Sequence, residues 1–479
     1  MNPGNAEEHA FLGPAALTEG FAAGQISPIE ITRAALVRAE ALQPRLNAFA
    51  WLDGDGARAG AAKAEARWQA GEALGPLDGV PLTVKDLTAV RGLPLRRGSM
   101  TTGAEPAPED APAVARLRAA GAVILGKTTT PEFGWKGITD GPLFGFTRNP
   151  WDPALTPGGS SGGAAAALAA GIGALAHGTD GGGSIRIPAS YCGLVGFKPS
   201  FGRVPHYPLE GAFCTTASQG PLARSVGDAA LMLKVMVQPD PRDWYGLPAL
   251  HEDLVEAAAS GRLAGLSLAY SPRLGGAEPA AEVRAVVEAA LANLAQAGAR
   301  ITEIDGLFPP LEERFHDFWL AGFAAQIRDL GAEQREELDP RFRDLAEAGL
   351  SIDLPAYDAA IKARADLGRR INLRLVDFDA LVTPTMPTAP PPVETPYHSA
   401  AFDRWRHATA YTLAFNLSGH PACSLPCGLD ERALPVGLQL VGPAHGDAQL
   451  LAAAGAVERG LKFLQPHPKL KECLRALES

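Results

Sequence analysis

A chain of 479 residues, 46% apolar and 20% charged, is long enough to bury about three quarters of its unfolded surface. It needs neither a disulfide framework nor a structural metal, and disorder is excluded as its main state. A net charge of −10 argues against nucleic acid or an anionic membrane as the main partner. The five cysteines, Cys192, Cys214, Cys423, Cys427 and Cys473, show no CxxC or Cys/His ligand spacing, which reads as a reducing compartment, buried packing residues and no zinc. The first residues carry no basic stretch followed by an apolar core, so the cytoplasm is the expected location. With 53 glycines and 41 prolines the chain has many shaped loops, as an enzyme does.

In chain order, Ser27-Pro28-Ile29-Glu30 predicts a capped helix over 28–43. Val80 to Val84 predicts a short buried strand ending at Lys85-Asp86. Asp110 is expected to cap a helix that runs to Ala120 and stops at Gly121, and Ala122 to Gly126 predicts another strand. Strand, helix and strand at this spacing predict a βαβ crossover and a largely parallel sheet. Between Asp152 and Asp180 there is no Asp, Glu, Lys or Arg. Its Ala- and Gly-rich middle predicts a buried, closely packed helix over 164–176, with Ser160 or Ser161 at its cap, in preference to a membrane span. Ser225 to Asp228 is a further cap. Residues 239–377 are rich in charge and helix, with amphipathic runs near 280–298 and 356–376, and form the candidate lid or substrate-shaping region. A strand at Ala380 to Pro384, a Pro-rich loop over 387–396, a helix near 402–417, apolar segments at Ala422 to Pro426 and Val436 to Val441, and a capped helix from Asp447 to Gly460 complete the chain. No tandem repeat is present.

Two glycine-rich segments carry the chemistry. Pro157-Gly158-Gly159-Ser160-Ser161-Gly162-Gly163 could cradle phosphate, but it lacks the Lys-[Ser/Thr] of a Walker loop and the GxGxxG order of a dinucleotide site. In Thr179-Asp180-Gly181-Gly182-Gly183-Ser184, three glycines before a serine can aim several N–H groups at one point, as an oxyanion hole requires, which makes Ser184 a candidate nucleophile. A serine needs a base. His177, His206, His407 and His420 stand in no GxSxG context, whereas burial can strip the proton from a lysine, and Lys85 at the end of an apolar strand is the best-placed base. Plainer readings stand beside these: Lys85 as a solvated strand end or partner of Asp86, Ser161 as a structural serine, Asp180 and Arg186 as a pair beneath the glycine loop, and His177 as a core group.

Val84-Lys85-Asp86, Gly158 to Gly163, and Gly178 to Ala189 resemble the motifs of the amidase signature family. They occur in family order, with 24 residues from Ser160 to Ser184. Similarity continues through Gly126-Lys127-Thr128, Thr147 to Asp152, Gly196 to Pro199, Gly220 to Arg224 and Leu434 to Gln439, and is weakest from about 240 to 375. The resemblance implies one α/β domain with a mixed sheet of about eleven strands flanked by helices, its core over about 60–235 and 378–462. It implies Ser184 as the acyl-forming nucleophile, Ser160 on a cis peptide after Gly159 as the bridging serine, and Lys85 as the base. By the same resemblance the N–H groups of Gly181, Gly182, Gly183 and Ser184 hold the oxyanion. Gly134 begins the acyl pocket, with Trp135 and Phe144 as apolar walls, and Gly181, where many members carry a bulkier residue, leaves the loop more mobile or the pocket more open. The implied reaction converts a small-molecule carboxamide to a carboxylate and ammonia or an amine without metal or cofactor, and a homodimer is compatible with it. Tryptophan and lysine after Gly134 depart from the Gly-Ser-Ser-Thr-Glu-Asn-Ser-like stretch of the A-type chains of tRNA-dependent amidotransferases, which favours a stand-alone amidase. The alternatives are a chain of such an amidotransferase complex and a catalytically silent scaffold.

Overall fold

The computed structural model describes residues 9–208, 213, 215–274, 278–304, 313–395, 409–463 and 465–478, with the side chains of 313–315 outside that set. Local signals set many of its elements. Ser27 Oγ accepts the N–H groups of Ile29 and Glu30 and starts a helix over Pro28–Leu46. This helix runs past Pro44, which lacks the N–H that would bond the Glu40 carbonyl, and Asn47 ends it in the left-handed region. Ser225 Oγ takes the Asp228 N–H at the start of the helix Val226–Met236. Asp110, by contrast, is not the cap of the helix Pro112–Ala119: its carboxylate is drawn to the Arg118 guanidinium (2.8 Å) and the Arg91 N–H.

The strands are β1 (Phe49–Leu52), β2 (Pro81–Lys85), β3 (Val123–Thr128), β4 (Leu175–Asp180), β5 (Val195–Lys198), β6 (Ser218–Ala223), β7 (Ser267–Tyr270), β8 (Arg300–Glu303), β9 (Ala380–Pro384), β10 (Ala422–Leu429) and β11 (Pro435–Val441). They form one eleven-stranded sheet in the order β1-β3-β2-β4-β6-β5-β10-β11-β9-β7-β8. The expectation of a largely parallel sheet is corrected. β2 pairs parallel with β3 and β4, and β7 with β8 and β9, while the six other pairings are antiparallel. Every residue of β2, β3 and β11 is buried, because helices cover both faces at the centre of the sheet.

The Ala-rich helix is shorter than expected, Gly162–Ala169, and Leu175 onward is already β4. Ser161, at its N-cap, makes no side-chain capping bond. Ser161 Oγ instead donates to the Thr179 carbonyl (3.1 Å), and Thr139 Oγ1 takes the Gly162 N–H. The helix is buried throughout, and its small residues permit backbone contact: a β-carbon on Gly163 would lie 2.5 Å from the Ala48 carbonyl oxygen and the Thr129 nitrogen. Among the described residues no helix is long and apolar enough to cross a membrane.

The region from 240 to 375 supplies β7 and β8 to the sheet edge and the helices Leu254–Ser260, Ala281–Gln296, Glu313–Ile327, Ala332–Glu336, Pro340–Gly349 and Leu354–Leu375. Trp319, Phe323 and Phe342 from these helices form a second apolar core with Trp135. Asp447 opens the closing helix Asp447–Leu461 and holds Ser200 N–H and Arg203 in place of a capping bond. For the helix expected near 402–417, residues 402–408 lie outside the described set, and Leu413–Leu417 is helical.

Candidate active site

β2 delivers Lys85 to the same end of the sheet as Thr179 of β4, its parallel neighbour. Lys85 is fully buried, and its Nζ hydrogen-bonds Ser160 Oγ at 2.7 Å and Thr179 Oγ1 at 2.9 Å. It does not pair with Asp86, whose carboxylate is held by the buried Lys127 at 2.9 Å. Burial pushes the Lys85 amine well below the ordinary lysine range, against an opposing pull from the Asp180 charge. The Gly159–Ser160 peptide is cis, as the resemblance implies. Ser184 keeps 8% of its surface open against 1% for Ser160, so Ser184 is the more accessible of the two serines.

Asp180 shapes the glycine loop. Its carboxylate accepts the N–H groups of Gly183 (2.7 Å) and Ile185 (3.1 Å), the Asn416 amide, and two bonds of 3.0 Å from Arg186. Burial alone would raise the Asp180 pKa, but Arg186, Lys198 and the Asn416 amide together outweigh it and hold the carboxyl well below the usual range. Arg186 also reaches Gln439 Oε1 (2.7 Å) and the Thr412 carbonyl, which ties the loop to β11 and to the segment before Leu413–Leu417. Gly183 departs from the expectation for an oxyanion donor, since its N–H is spent on Asp180. Among the described residues no hydrogen bond occupies the N–H groups of Gly181, Gly182 and Ser184. Ser161 is structural: its N–H donates to the Ser184 carbonyl at 3.1 Å.

Ser160, Ser184, Thr179, Gly181 and Gly134 line one cavity. Gly134 has φ +71, and a β-carbon there would lie 3.1 Å from Ser160 Oγ and 2.6 Å from Leu87 Cδ1, so the position is closed to larger residues. The expected walls are corrected. Trp135 packs behind the lining against Phe323 and Phe342, and Phe144 is not part of it; among the described residues the phenylalanine and tyrosine walls are Phe133, Tyr207 and Phe213. The room left by Gly181 is not open either, because a β-carbon there would meet the Phe213 ring at 2.9 Å. Arg97, His206, Gln219 and Gln326 also line the cavity. Sequence reasoning missed Arg97 and Gln326; the Arg96-Arg97 pair so soon after Lys85-Asp86 was the one available signal.

Two of the other histidines considered as bases have structural partners. Buried His177 bonds Gln219 Oε1 at 2.9 Å, and burial lowers its pKa to about 4. His420 lies between Ser418 and Asn372, and His407 lies outside the described residues. Among the described residues no group of three His, Cys, Asp or Glu side chains could hold a metal ion.

The sequence model of the family described as Amidase matches residues 30–451. An acylamidase of Rhodococcus erythropolis is 38% identical over 457 residues, covering 94% of this chain and 95% of its own. The A-type chain of the glutamyl-tRNA(Gln) amidotransferase of Salinispora arenicola is 36% identical, covering 95% of this chain and 98% of its own. Among solved structures, a bacterial aryl acylamidase belonging to the amidase signature enzymes superposes with a TM-score of 0.88 at 29% identity, over 98% of this chain and 99% of that one. Agreement in motif order, in sheet and along nearly the whole length has one explanation: the chain belongs to the amidase signature family.

Proposed function

We propose that the protein hydrolyses a carboxamide C–N bond through an acyl-enzyme on Ser184, with Ser160 as proton relay and Lys85 as base. The observation that carries this reading is the 2.7 Å contact between Ser160 Oγ and a lysine amine that burial holds toward its neutral form. Neutral Lys85 takes the Ser160 proton as Ser160 takes that of Ser184, and the Ser184 alkoxide attacks the amide carbon. The N–H groups of Gly181, Gly182 and Ser184 receive the oxyanion, each such donor being worth about 3 kcal/mol. The proton returns through Ser160 to the leaving nitrogen, and water repeats the sequence to release the carboxylate and restore Ser184.

The lining favours an apolar or aromatic substituent against Phe133, Phe213 and Leu87. Among the described lining residues there is no carboxylate, while Arg97 is present, so a cationic substrate is disfavoured. The acylamidase and aryl acylamidase similarities support this reading. The similar amidotransferase chain supports a second one, in which glutamine is the amide donor within a complex. A panel of aliphatic and aromatic primary amides and anilides, with glutamine included, assayed at pH 8–9 for released ammonia or amine, separates them. Turnover of anilides that disappears in Ser184→Ala supports the acylamidase reading, and glutamine as sole substrate supports the other. Activity retained in Ser184→Ala refutes both.

A further inference from the structure

Phe133 and Gly134 are consecutive left-handed residues, with φ of +49 and +71, and both line the cavity. A phenylalanine holds that conformation only where its surroundings enforce it. Three restraints converge on this loop. The Phe133 N–H donates to the Arg97 carbonyl at 2.7 Å. One residue earlier, the buried Glu132 carboxylate accepts from Ser99 Oγ and from the Asp339 N–H, both at 2.6 Å. Two residues after Gly134, the buried Lys136 ammonium lies 2.8 Å from Asp140 and 2.9 Å from Asp339 Oδ2.

Asp339 stands 203 residues from Lys136 in sequence, and it has a second task. Its Oδ1 accepts the N–H groups of Arg341 and Phe342 and so starts the helix Pro340–Gly349. The same helix brings the Phe342 ring to 5.4 Å from that of Phe133. One carboxylate therefore fixes both the backbone behind the cavity wall and the helix whose aromatic ring supports it.

We propose that Lys136 and Asp339 are positioning residues that set the Phe133 wall of the cavity, so that the helix Pro340–Gly349 determines how large a substituent the site accepts. This rests on the reading of the cavity as the amide site. Lys136 and Asp339 do not touch substrate; they act through the orientation of Phe133 and Gly134. In this region, where the resemblance to the family is weakest, a change of helix would change substrate size preference without touching Lys85, Ser160 or Ser184.

The test compares kcat/KM for acetanilide and a bulky aryl anilide in the parent and in Asp339→Asn. The asparagine keeps an oxygen to cap the helix and turns an amide N–H₂ toward the Lys136 ammonium. The bulky-to-small ratio is expected to change by about tenfold, mainly through KM of the bulky substrate. Lys136→Gln added to Asp339→Asn gives the amide an acceptor and should restore much of the ratio. Equal losses for both substrates, or no loss, in a variant with the parent's circular dichroism would overturn the proposal. If Asp339→Asn does not fold, Phe342→Leu reads the same wall from the helix side, and an unchanged ratio there overturns it too. Ser184-dependent turnover in the parent is the separate check on the amidase reading, so the two can fail independently.

Discussion

In the proposed reaction burial makes a base of Lys85: the strand end that carries it is closed off from solvent, which penalises the charged amine, and among the described residues no carboxylate lies within hydrogen-bonding distance of it. Only the neutral amine can accept the Ser160 proton. kcat/KM should therefore rise with pH as Lys85 loses its proton and then level, with the limb displaced below the ordinary lysine value of about 10.4. A pH–rate profile measures this, and an activity maximum near pH 5 would contradict it. Ser184→Ala and Lys85→Ala should each lower kcat by about 10⁴-fold or more, with circular dichroism unchanged. Lys85, Ser160 and Ser184 could be singled out in the sequence because each sits in a short local motif, and the structure brings Lys85 and Ser160 into contact and both serines to one cavity. Phe213 could not: its ring fills the space above Gly181 from a different loop, and nothing in the glycine motif announces it. Gly183 was misread for a related reason, since three adjacent glycines look equivalent until Asp180 selects one N–H.

The glycine loop works as an element because Asp180 and Arg186 brace it from within and tie it to Thr412, Asn416 and Gln439. Both charges are buried, so removing one strands the other. Arg186→Met should cost about 3–5 kcal/mol in denaturant unfolding. With its folded pKa depressed, the Asp180 carboxyl contributes stability fully above its unfolded value of about 3.9, and that contribution is lost as pH falls toward the folded value. The parent's Tm should accordingly drop below about pH 4, and the drop should be shallower in Asp180→Asn. The charge pair itself was readable from opposite signs flanking one turn. Helix ends were less so: Asp110 has the residue type of a cap, but Arg118 competes for it, and Ser161 serves Thr179 and Ser184 in place of the helix that follows it.

At the scale of the whole molecule, the sheet positions the site by placing β2 and β4 side by side and parallel, so that Lys85 and the glycine loop leave it at one end. Hydrogen exchange should be slowest in β2, β4, β6, β5, β10 and β11 and faster at the edge strand β8, where Arg300, Thr302 and Glu303 are exposed. Comparable exchange of β8 and β4 would contradict that ordering. The crossover from β2 to β3 was foreseeable from apolar runs and spacing, yet most pairings are antiparallel: β10 and β11 are consecutive strands that fold back on each other, and β5 pairs with β10 across the whole 240–375 region, an order that no local pattern encodes. All of this arrangement serves one chemical claim, that Ser184 carries the acyl group. Labelling with a fluorophosphonate, followed by peptide mass mapping, tests it most directly. A single adduct on Ser184 is expected, formed far more slowly in Lys85→Ala and absent in Ser184→Ala. An adduct on Ser160 or elsewhere, in a preparation that turns over amides, would contradict it.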